Sequence, residues 1–182
     1  MRLLNTTGWV VKMQIRIAGI GGQGVILAGI ILGEAAAIEG LNVVQTQDYG
    51  SQSRGGHSIA DLIISKEPIY DLMVTKADVL VALAQLGYDS TKDSLRKDGI
   101  LIIDTDLVKP DREYVGAPFT RLAEEKTGLA LTVNMVALGY LVAKTNVVKK
   151  ESVEMAIKRR APKGTEEINL KAFRIGYEEG LK

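Results

Sequence analysis

The sequence contains no cysteine and a single histidine, His57. Without cysteine the chain can form no disulfide, cannot use a thiol nucleophile and cannot hold an iron–sulfur cluster through thiolates. One histidine cannot supply a histidine pair for a metal site, so we interpret His57 as structural rather than as a catalytic base. Any iron–sulfur cluster that serves this chain is therefore expected on another chain.

An excess of charge of either sign is also missing, since 23 Lys and Arg residues stand against 22 Asp and Glu residues. Such a balance produces no general field that would attract nucleic acid or an anionic membrane. The longest apolar run, residues 25–32, is far shorter than the roughly 20 residues that cross a bilayer. We expect no nucleic-acid partner and no membrane contact. The N-terminal stretch also lacks a secretion cleavage site, so we expect a cytoplasmic protein.

The 182 residues are enough to bury one core, and 46% of them are hydrophobic. No internal repeat or low-complexity linker divides the chain, so we expect a single domain over residues 13–182. Met13 stands immediately before the first strong strand pattern. Residues 1–12 are accordingly expected to form a loosely held extension.

Apolar runs of strand length alternate with helical patterns along the chain. Strands are predicted over residues 14–19, 41–45, 58–65, 77–84 and 99–104, and helices over residues 23–39, 88–97, 119–126, 134–144, 151–159 and 166–180. The polar stretch 46–57 is predicted to be a long, functional loop. The pattern indicates an α/β fold of the Rossmann-like kind, with an open, mostly parallel sheet flanked by helices and a helical C-terminal part.

The first predicted strand leads into GIGGQG, in which Gly19, Gly21 and Gly24 satisfy G-x-G-x-x-G. Backbone N–H groups at a helix start carry partial positive charge, so an anion can approach where no side chain intervenes. The acid expected about 20 residues further on for an NAD ribose is replaced by Gln45, which argues against NAD. In the alternative interpretation these glycines have a structural role only, since they allow a tight turn and close packing of the helix on the strand.

A second glycine pattern, YGSQSRGGH over residues 49–57, presents Arg54 beside Gly55 and Gly56. A guanidinium held there suits an anionic ligand or a partner's carboxylate, although an ordinary surface ion pair would also explain it. This loop and the glycine turn follow two strands that are expected to be parallel. They should therefore be neighbours at one edge of the sheet.

Two further polar features have plain structural explanations. Asp104 ends a predicted strand at the edge where ligands of open α/β sheets bind, but we interpret it as a turn or helix cap. The cations Lys158, Arg159, Arg160 and Lys163 could bind phosphate. At a helix end they also complement the helix dipole, which is the interpretation we favour.

Three segments together resemble the gamma subunit of the 2-oxoacid:ferredoxin oxidoreductases: IAGIGGQGV over residues 17–25, TQDYGSQSRGG over 46–56 and SIADLIIS over 58–65. The resemblance extends from about residue 13 to residue 144. It places the family's cofactor-binding positions on Gly19, Gly21, Gly22, Gln23, Gly24, Arg54, Gly55 and Gly56. Some relatives carry Pro-Glu where this chain has Ser51 and Gln52, which removes a carboxylate.

The resemblance implies one subunit, inactive alone, of an enzyme that converts a 2-oxoacid and CoA to an acyl-CoA and CO₂ while reducing ferredoxin. Chain length and the Arg-Gly-Gly loop resemble the 2-oxoglutarate enzymes more than their pyruvate, branched-chain and indolepyruvate relatives. Thiamine diphosphate, Mg²⁺ and iron–sulfur clusters are expected on partners, namely thiamine-binding alpha and beta subunits and a ferredoxin-like subunit. CoA is the cofactor that this chain itself could contact, and the isolated chain could form a homodimer.

Two other functions stay open. A non-catalytic assembly module would use the glycine turn to pack against a partner. A stand-alone dinucleotide-binding dehydrogenase would use the same turn, but it would need a ribose-binding acid and a hydride-transfer site that the sequence does not reveal.

Overall fold

The computed structural model describes residues 12–50 and 56–182. Of the predicted N-terminal extension, residues 1–11 lie outside the described part, and Lys12 is already the first residue of strand β1. Residues 51–55, which include Arg54 and Gly55, lie outside it as well. Within the two described ranges no helix is long and apolar enough to cross a membrane.

A six-stranded sheet in the order β2-β3-β1-β4-β5-β6 forms the centre of the fold. The strands are β1 Lys12–Ile20, β2 Asn42–Tyr49, β3 His57–Ser65, β4 Ala77–Ala82, β5 Leu95–Asp104 and β6 Val115–Ala117. The ladders from β1 to β4, β5 and β6 are parallel, whereas β3 runs antiparallel to both β2 and β1. Five of the six strands therefore point the same way, which confirms the predicted mostly parallel α/β sheet.

Six α-helices flank the sheet: α1 Val25–Ile38, α2 Gln85–Thr91, α3 Phe119–Thr127, α4 Val133–Thr145, α5 Lys150–Arg160 and α6 Glu166–Gly180. The larger core lies on one face of the sheet, where Ile15 and Ile17 of β1 share a cluster with Leu138 of α4 and Phe173 of α6. Ala18 points to the other face, toward a smaller cluster with α2. The alternation along β1 is the two-residue period of a strand that is covered on both faces.

In three places the structure differs from the prediction by more than two residues. Residues 46–49 are not loop but the second half of β2, which pairs with β3 over its whole length. The predicted helix over 88–97 begins earlier and ends at Thr91, and β5 already starts at Leu95. The three-residue strand β6 was missed because its ladder with β5 is too short to leave an apolar run.

The C-terminal helices α4 and α6 pack closely because glycines occupy their crossing. A Cβ added at Gly139 would lie 2.6 Å from the backbone nitrogen of Tyr177, and one added at Gly176 would lie 2.6 Å from the carbonyl carbon of Val136. Backbone atoms cannot rotate aside as a side chain can. A methyl group at either position therefore has to separate the two helices.

We expect Gly176→Ala to lower the free energy of unfolding by about 1–3 kcal/mol, the usual cost of overpacking a core, despite the higher helix propensity of alanine. Glu178→Ala on the exposed side of the same helix serves as the control and should change stability by no more than about 0.5 kcal/mol. Urea unfolding followed by circular dichroism measures both. Equal stability of the two variants would contradict the close packing of α4 on α6.

Candidate functional site

The glycine turn, Ile20 to Gly24, joins the end of β1 to the start of α1. Gly22 and Gly24 have φ values of 100° and 69°, which only glycine adopts at little cost. Gly22 is exposed, and a Cβ there would meet nothing within 4 Å. Glycine is thus required at position 22 by the backbone conformation, and no described residue fills the space in front of it.

The side chain of Gln23 is bonded to the protein backbone at both ends. Its Oε1 accepts a hydrogen bond from the Ile20 N–H at 2.9 Å, and its Nε2 donates to the Leu83 carbonyl at 3.0 Å. The Gln23 amide therefore ties the end of β1 to the residue that follows β4. These contacts support a positioning role, and direct cofactor binding by Gln23 remains a prediction.

Gly19 is surrounded by other parts of the chain. A Cβ at Gly19 would lie 2.5 Å from Gln23 Oε1, and a Cβ at Gly87 of α2 would lie 2.6 Å from the Gly19 nitrogen. Helix α2 can approach the end of β1 because position 87 is glycine, and Gln23 takes the space of a side chain at position 19. The packing explanation of the motif therefore holds for Gly19.

Several backbone donors of the turn have no acceptor within the described ranges. These are the N–H groups of Gly22, Gly24, Val25 and Ile26. No side chain of the described residues caps the 14-residue helix α1. Unpaired donors at a helix N-terminus, together with the helix dipole, favour the binding of an anion.

Gly56, the last residue of the Arg-Gly-Gly pattern, contacts the glycine turn. Strand β3 pairs Ile20 with His57, and the Gly21 N–H donates to the Gly56 carbonyl at 2.9 Å. The two patterns were predicted to lie at one edge because their strands are parallel. Strands β1 and β2 do point the same way, but the antiparallel strand β3 between them turns the second pattern into a hairpin loop.

His57 closes this hairpin. Its carbonyl accepts a hydrogen bond from the Gly50 N–H at 3.0 Å, and its Nε2 lies 3.5 Å from Asp48 Oδ2. Both contacts lie within the β2–β3 hairpin, in agreement with the structural interpretation of His57.

Asp104 is fully buried, and both of its carboxylate oxygens are occupied. Oδ1 accepts from the Asp106 N–H at 3.1 Å, while Oδ2 accepts from the Thr120 N–H at 2.8 Å and from the Thr120 hydroxyl at 2.6 Å. The interpretation of Asp104 as a turn and helix cap is confirmed.

The basic cluster at the end of α5 faces α1. Arg160 Nε lies 3.1 Å and Arg159 Nη1 lies 3.2 Å from the carboxylate of Glu34. Hydrogen bonds from Arg160, and then from Arg159, lower the pKa of Glu34. These two cations therefore fasten the last turn of α5 to α1, which agrees with the structural interpretation.

The segment that follows β5 is fastened to α2 by an arrangement that sequence analysis missed. The hydroxyl of buried Tyr88 donates to one carboxylate oxygen of Asp111, and Lys92 Nζ lies 2.6 Å from the other. The Lys92 and Tyr88 hydrogen bonds lower the pKa of Asp111 to about 2, and burial together with Asp111 raises the pKa of Tyr88. The Lys109 N–H also donates to Gln85 Oε1 at 2.8 Å.

Sequence analysis also assigned no role to Asn134, in the first turn of α4. Its amide is 3% exposed and donates to the Gly24 carbonyl at 3.0 Å. The signal in the sequence is one amide in an otherwise apolar helical run. Nothing local indicates that its partner lies 110 positions earlier.

The fold and the turn between β1 and α1 define a Rossmann-like α/β domain with a glycine-rich strand-to-helix turn. The sequence model of the pyruvate ferredoxin/flavodoxin oxidoreductase family matches residues 14–179, and the chain belongs to this family as a gamma-type subunit. It is 48% identical to the 2-oxoglutarate synthase subunit KorC of Methanocaldococcus jannaschii, over 92% of this chain and 93% of that protein. The resemblance inferred from the two glycine patterns is confirmed.

Two solved structures share the fold. The gamma subunit of keto/oxoacid ferredoxin oxidoreductase from Geobacter sulfurreducens superposes with a TM-score of 0.84 at 41% identity, over 93% of this chain and 97% of that one. The 2-oxoglutarate:ferredoxin oxidoreductase from Magnetococcus marinus gives a TM-score of 0.81 at 24% identity, over 93% of this chain and 31% of that one. The domain therefore exists both as a separate chain and within a longer one.

We expect Asp111→Asn to lower stability at pH 7 and to weaken the acid dependence of unfolding. Because the folded pKa of about 2 lies below the ordinary 3.8, the carboxylate stabilises the fold above pH 3.8 and loses this effect as the pH falls toward 2. Urea unfolding of the full chain across this pH range measures the effect. The control is Asp98→Asn, an exposed carboxylate without a hydrogen-bonded partner in the described ranges. An unaltered pH profile for Asp111→Asn would show that this cluster does not fasten the segment.

Proposed function

We propose that the chain is the gamma subunit of a multi-subunit 2-oxoglutarate:ferredoxin oxidoreductase. The enzyme would convert 2-oxoglutarate, CoA and two oxidised one-electron ferredoxins to succinyl-CoA, CO₂, two reduced ferredoxins and a proton. The observation that carries the proposal is the 48% identity to a 2-oxoglutarate synthase subunit over almost the whole of both chains. We call the glycine turn together with the Arg-Gly-Gly loop the glycine edge. The glycine edge would supply the binding chemistry, and partner subunits would supply the redox chemistry.

The glycine edge is proposed to bind an anionic group, either a phosphate of CoA or the substrate carboxylate. The proposed residues are Gly19, Gly21, Gly22, Gln23, Gly24, Arg54, Gly55 and Gly56. The free donors at the start of α1, the open space at Gly22 and the junction of Gly21 with Gly56 support it. CoA would supply the thiol that receives the acyl group, and the Magnetococcus enzyme of the same fold binds CoA and succinyl-CoA.

The same edge is proposed to face the thiamine-binding alpha and beta subunits. Five large apolar side chains are exposed on segments that end or begin there: Tyr49, Leu86, Leu107, Leu129 and Leu131. Exposed apolar side chains that surround a binding site mark a surface for a protein partner. Thiamine diphosphate, Mg²⁺ and the iron–sulfur clusters would lie on these partners and on a ferredoxin-like subunit of a cytoplasmic complex.

One set of contacts favours the assembly module as a second candidate. The Gln23 amide is bonded to the backbone at both ends, and Gly19 is in contact with α2. In such a module the open turn would receive a partner's backbone instead of an anion. The two candidates differ in what Arg54 does, because only the first requires it to affect ligand affinity.

The isolated chain is expected to show no 2-oxoacid oxidoreductase activity, because the residues proposed here bind and orient but hold no redox centre. Addition of the partner subunits should restore CoA-dependent reduction of a viologen dye with 2-oxoglutarate. The assay compares the chain alone, the partners alone and the mixture. CoA-dependent dye reduction by the pure single chain would falsify the subunit role.

In the assembled enzyme we expect Arg54→Lys to raise the apparent KM for CoA or for 2-oxoglutarate roughly tenfold. Lysine keeps the charge but loses the planar fork, and a hydrogen bond to a charged group contributes about 1.5–3 kcal/mol. Arg174→Lys, which changes a surface arginine paired with Glu154 on α5, is the control and should leave both constants unchanged.

The outcome separates the two candidate functions. Unchanged constants for Arg54→Lys in an intact complex would remove the ligand-binding role and leave the assembly module. Loss of subunit association, measured by size-exclusion chromatography, would instead make the Arg-Gly-Gly loop a docking element.

A further inference from the structure

Asn134 is a buried amide in apolar surroundings. It lies between Val133 and Met135 in a helix whose first ten residues are all buried. An amide buried without partners costs about 1–3 kcal/mol, so its partners should explain its presence. Both ends are bonded: Nδ2 donates to the Gly24 carbonyl at 3.0 Å, and Oδ1 accepts from the Met135 N–H at 2.9 Å.

The Asn134 amide lies directly against the Cα of Gly24. A Cβ added at Gly24 would lie 2.8 Å from the amide carbon of Asn134. Gly24 also has the positive φ of a left-handed residue. Glycine is thus required at position 24 for two separate reasons, one of which is the presence of Asn134.

The carbonyl that Asn134 holds belongs to the same peptide unit as the Val25 N–H. That carbonyl also accepts from the Ala28 N–H at 3.1 Å, the first hydrogen bond of α1. In a planar trans peptide the C=O and the following N–H point in opposite directions. Holding the Gly24 carbonyl toward α4 and α1 therefore fixes the Val25 N–H away from them, toward the open end of the helix.

We infer that Asn134 is a positioning residue that orients the backbone donors of the glycine turn toward an anion. The inference rests on the proposed ligand-binding function of the turn. Gln23 fastens the turn to the sheet at Leu83, and Asn134 fastens it to the helical layer through α4. Among the described residues no side chain caps the N-terminus of α1, and Asn134 is the side chain that bonds the Gly24 carbonyl there.

The test uses Asn134→Leu, which keeps the approximate volume but removes the donor, and Asn134→Ala as a second variant. Asn169→Leu and Asn169→Ala are matched controls. Asn169 is also buried, lies in the first turn of α6 and donates to the Thr165 carbonyl at 2.8 Å, away from the glycine turn. An Asn134 variant is compared with an Asn169 variant of equal thermal stability. A difference between them is then specific to the glycine turn and does not reflect general destabilisation.

Two readouts are measured. In the full chain, ¹⁵N relaxation gives the order parameters of the Gly24 and Val25 N–H groups. These should fall from the rigid value of about 0.85 to below about 0.6 in the Asn134 variants and stay high in the Asn169 variants. In the assembled enzyme, the KM for CoA or for 2-oxoglutarate should rise roughly three- to tenfold, the equivalent of one net hydrogen bond, with little change in kcat.

The two readouts fail in different ways. Order parameters that stay high in both Asn134 variants would overturn the inference, because the donors would then be held by other contacts. Reduced order with unchanged KM values for CoA and for 2-oxoglutarate would also overturn it. That result would locate the failure in the proposed ligand role of the turn and leave Asn134 as a structural tie.

Discussion

The reversal of the chain between β1 and α1 is the constraint on which the arrangement of this edge depends. Within Ile20 to Gly24 the backbone passes twice through positive φ and brings the start of α1 beside the end of its own strand. Such a turn leaves backbone donors unpaired, and two amide side chains fasten it from different layers. Gln23 bonds it to the sheet and Asn134 bonds it to the helices. The open donors are therefore held on a rigid framework.

The position of β3 determines what the turn faces. Because β3 returns between β2 and β1, the loop that carries the second glycine pattern is the hairpin of β2 and β3. Its last glycine, Gly56, bonds directly to Gly21. In a fully parallel sheet the second pattern would instead lead into a crossover connection, usually a helix, before the next strand. The antiparallel strand thus brings Gly56, the last residue of the second pattern, next to the turn without a crossover connection.

The sequence predicted those parts of the fold whose information is local. The bounds of α6 were predicted without error because two acids begin its first turn and Gly180 ends its apolar pattern. The second half of β2 was missed because it is an exposed edge strand with a polar sequence, which the loop pattern shares. The glycine turn was predicted from its motif, and its role as a binding site stays a prediction. Asn134 and Asp111 were missed because each acts through a contact with a distant segment that no local pattern records.

The packing role and the ligand-binding role of the glycine motif are not alternatives, because different glycines satisfy them. Gly19 is glycine because Gln23 occupies the space of its side chain, and Gly24 because Asn134 does. No atom of the described residues lies within 4 Å of a Cβ at Gly22, so packing within the described ranges does not explain it. A motif that served packing alone would have no need to leave that space empty or to keep the donors of α1 unpaired. The close packing at Gly19 and Gly24 instead makes the open space at Gly22 a fixed feature of the edge, as the binding of an anion there would require.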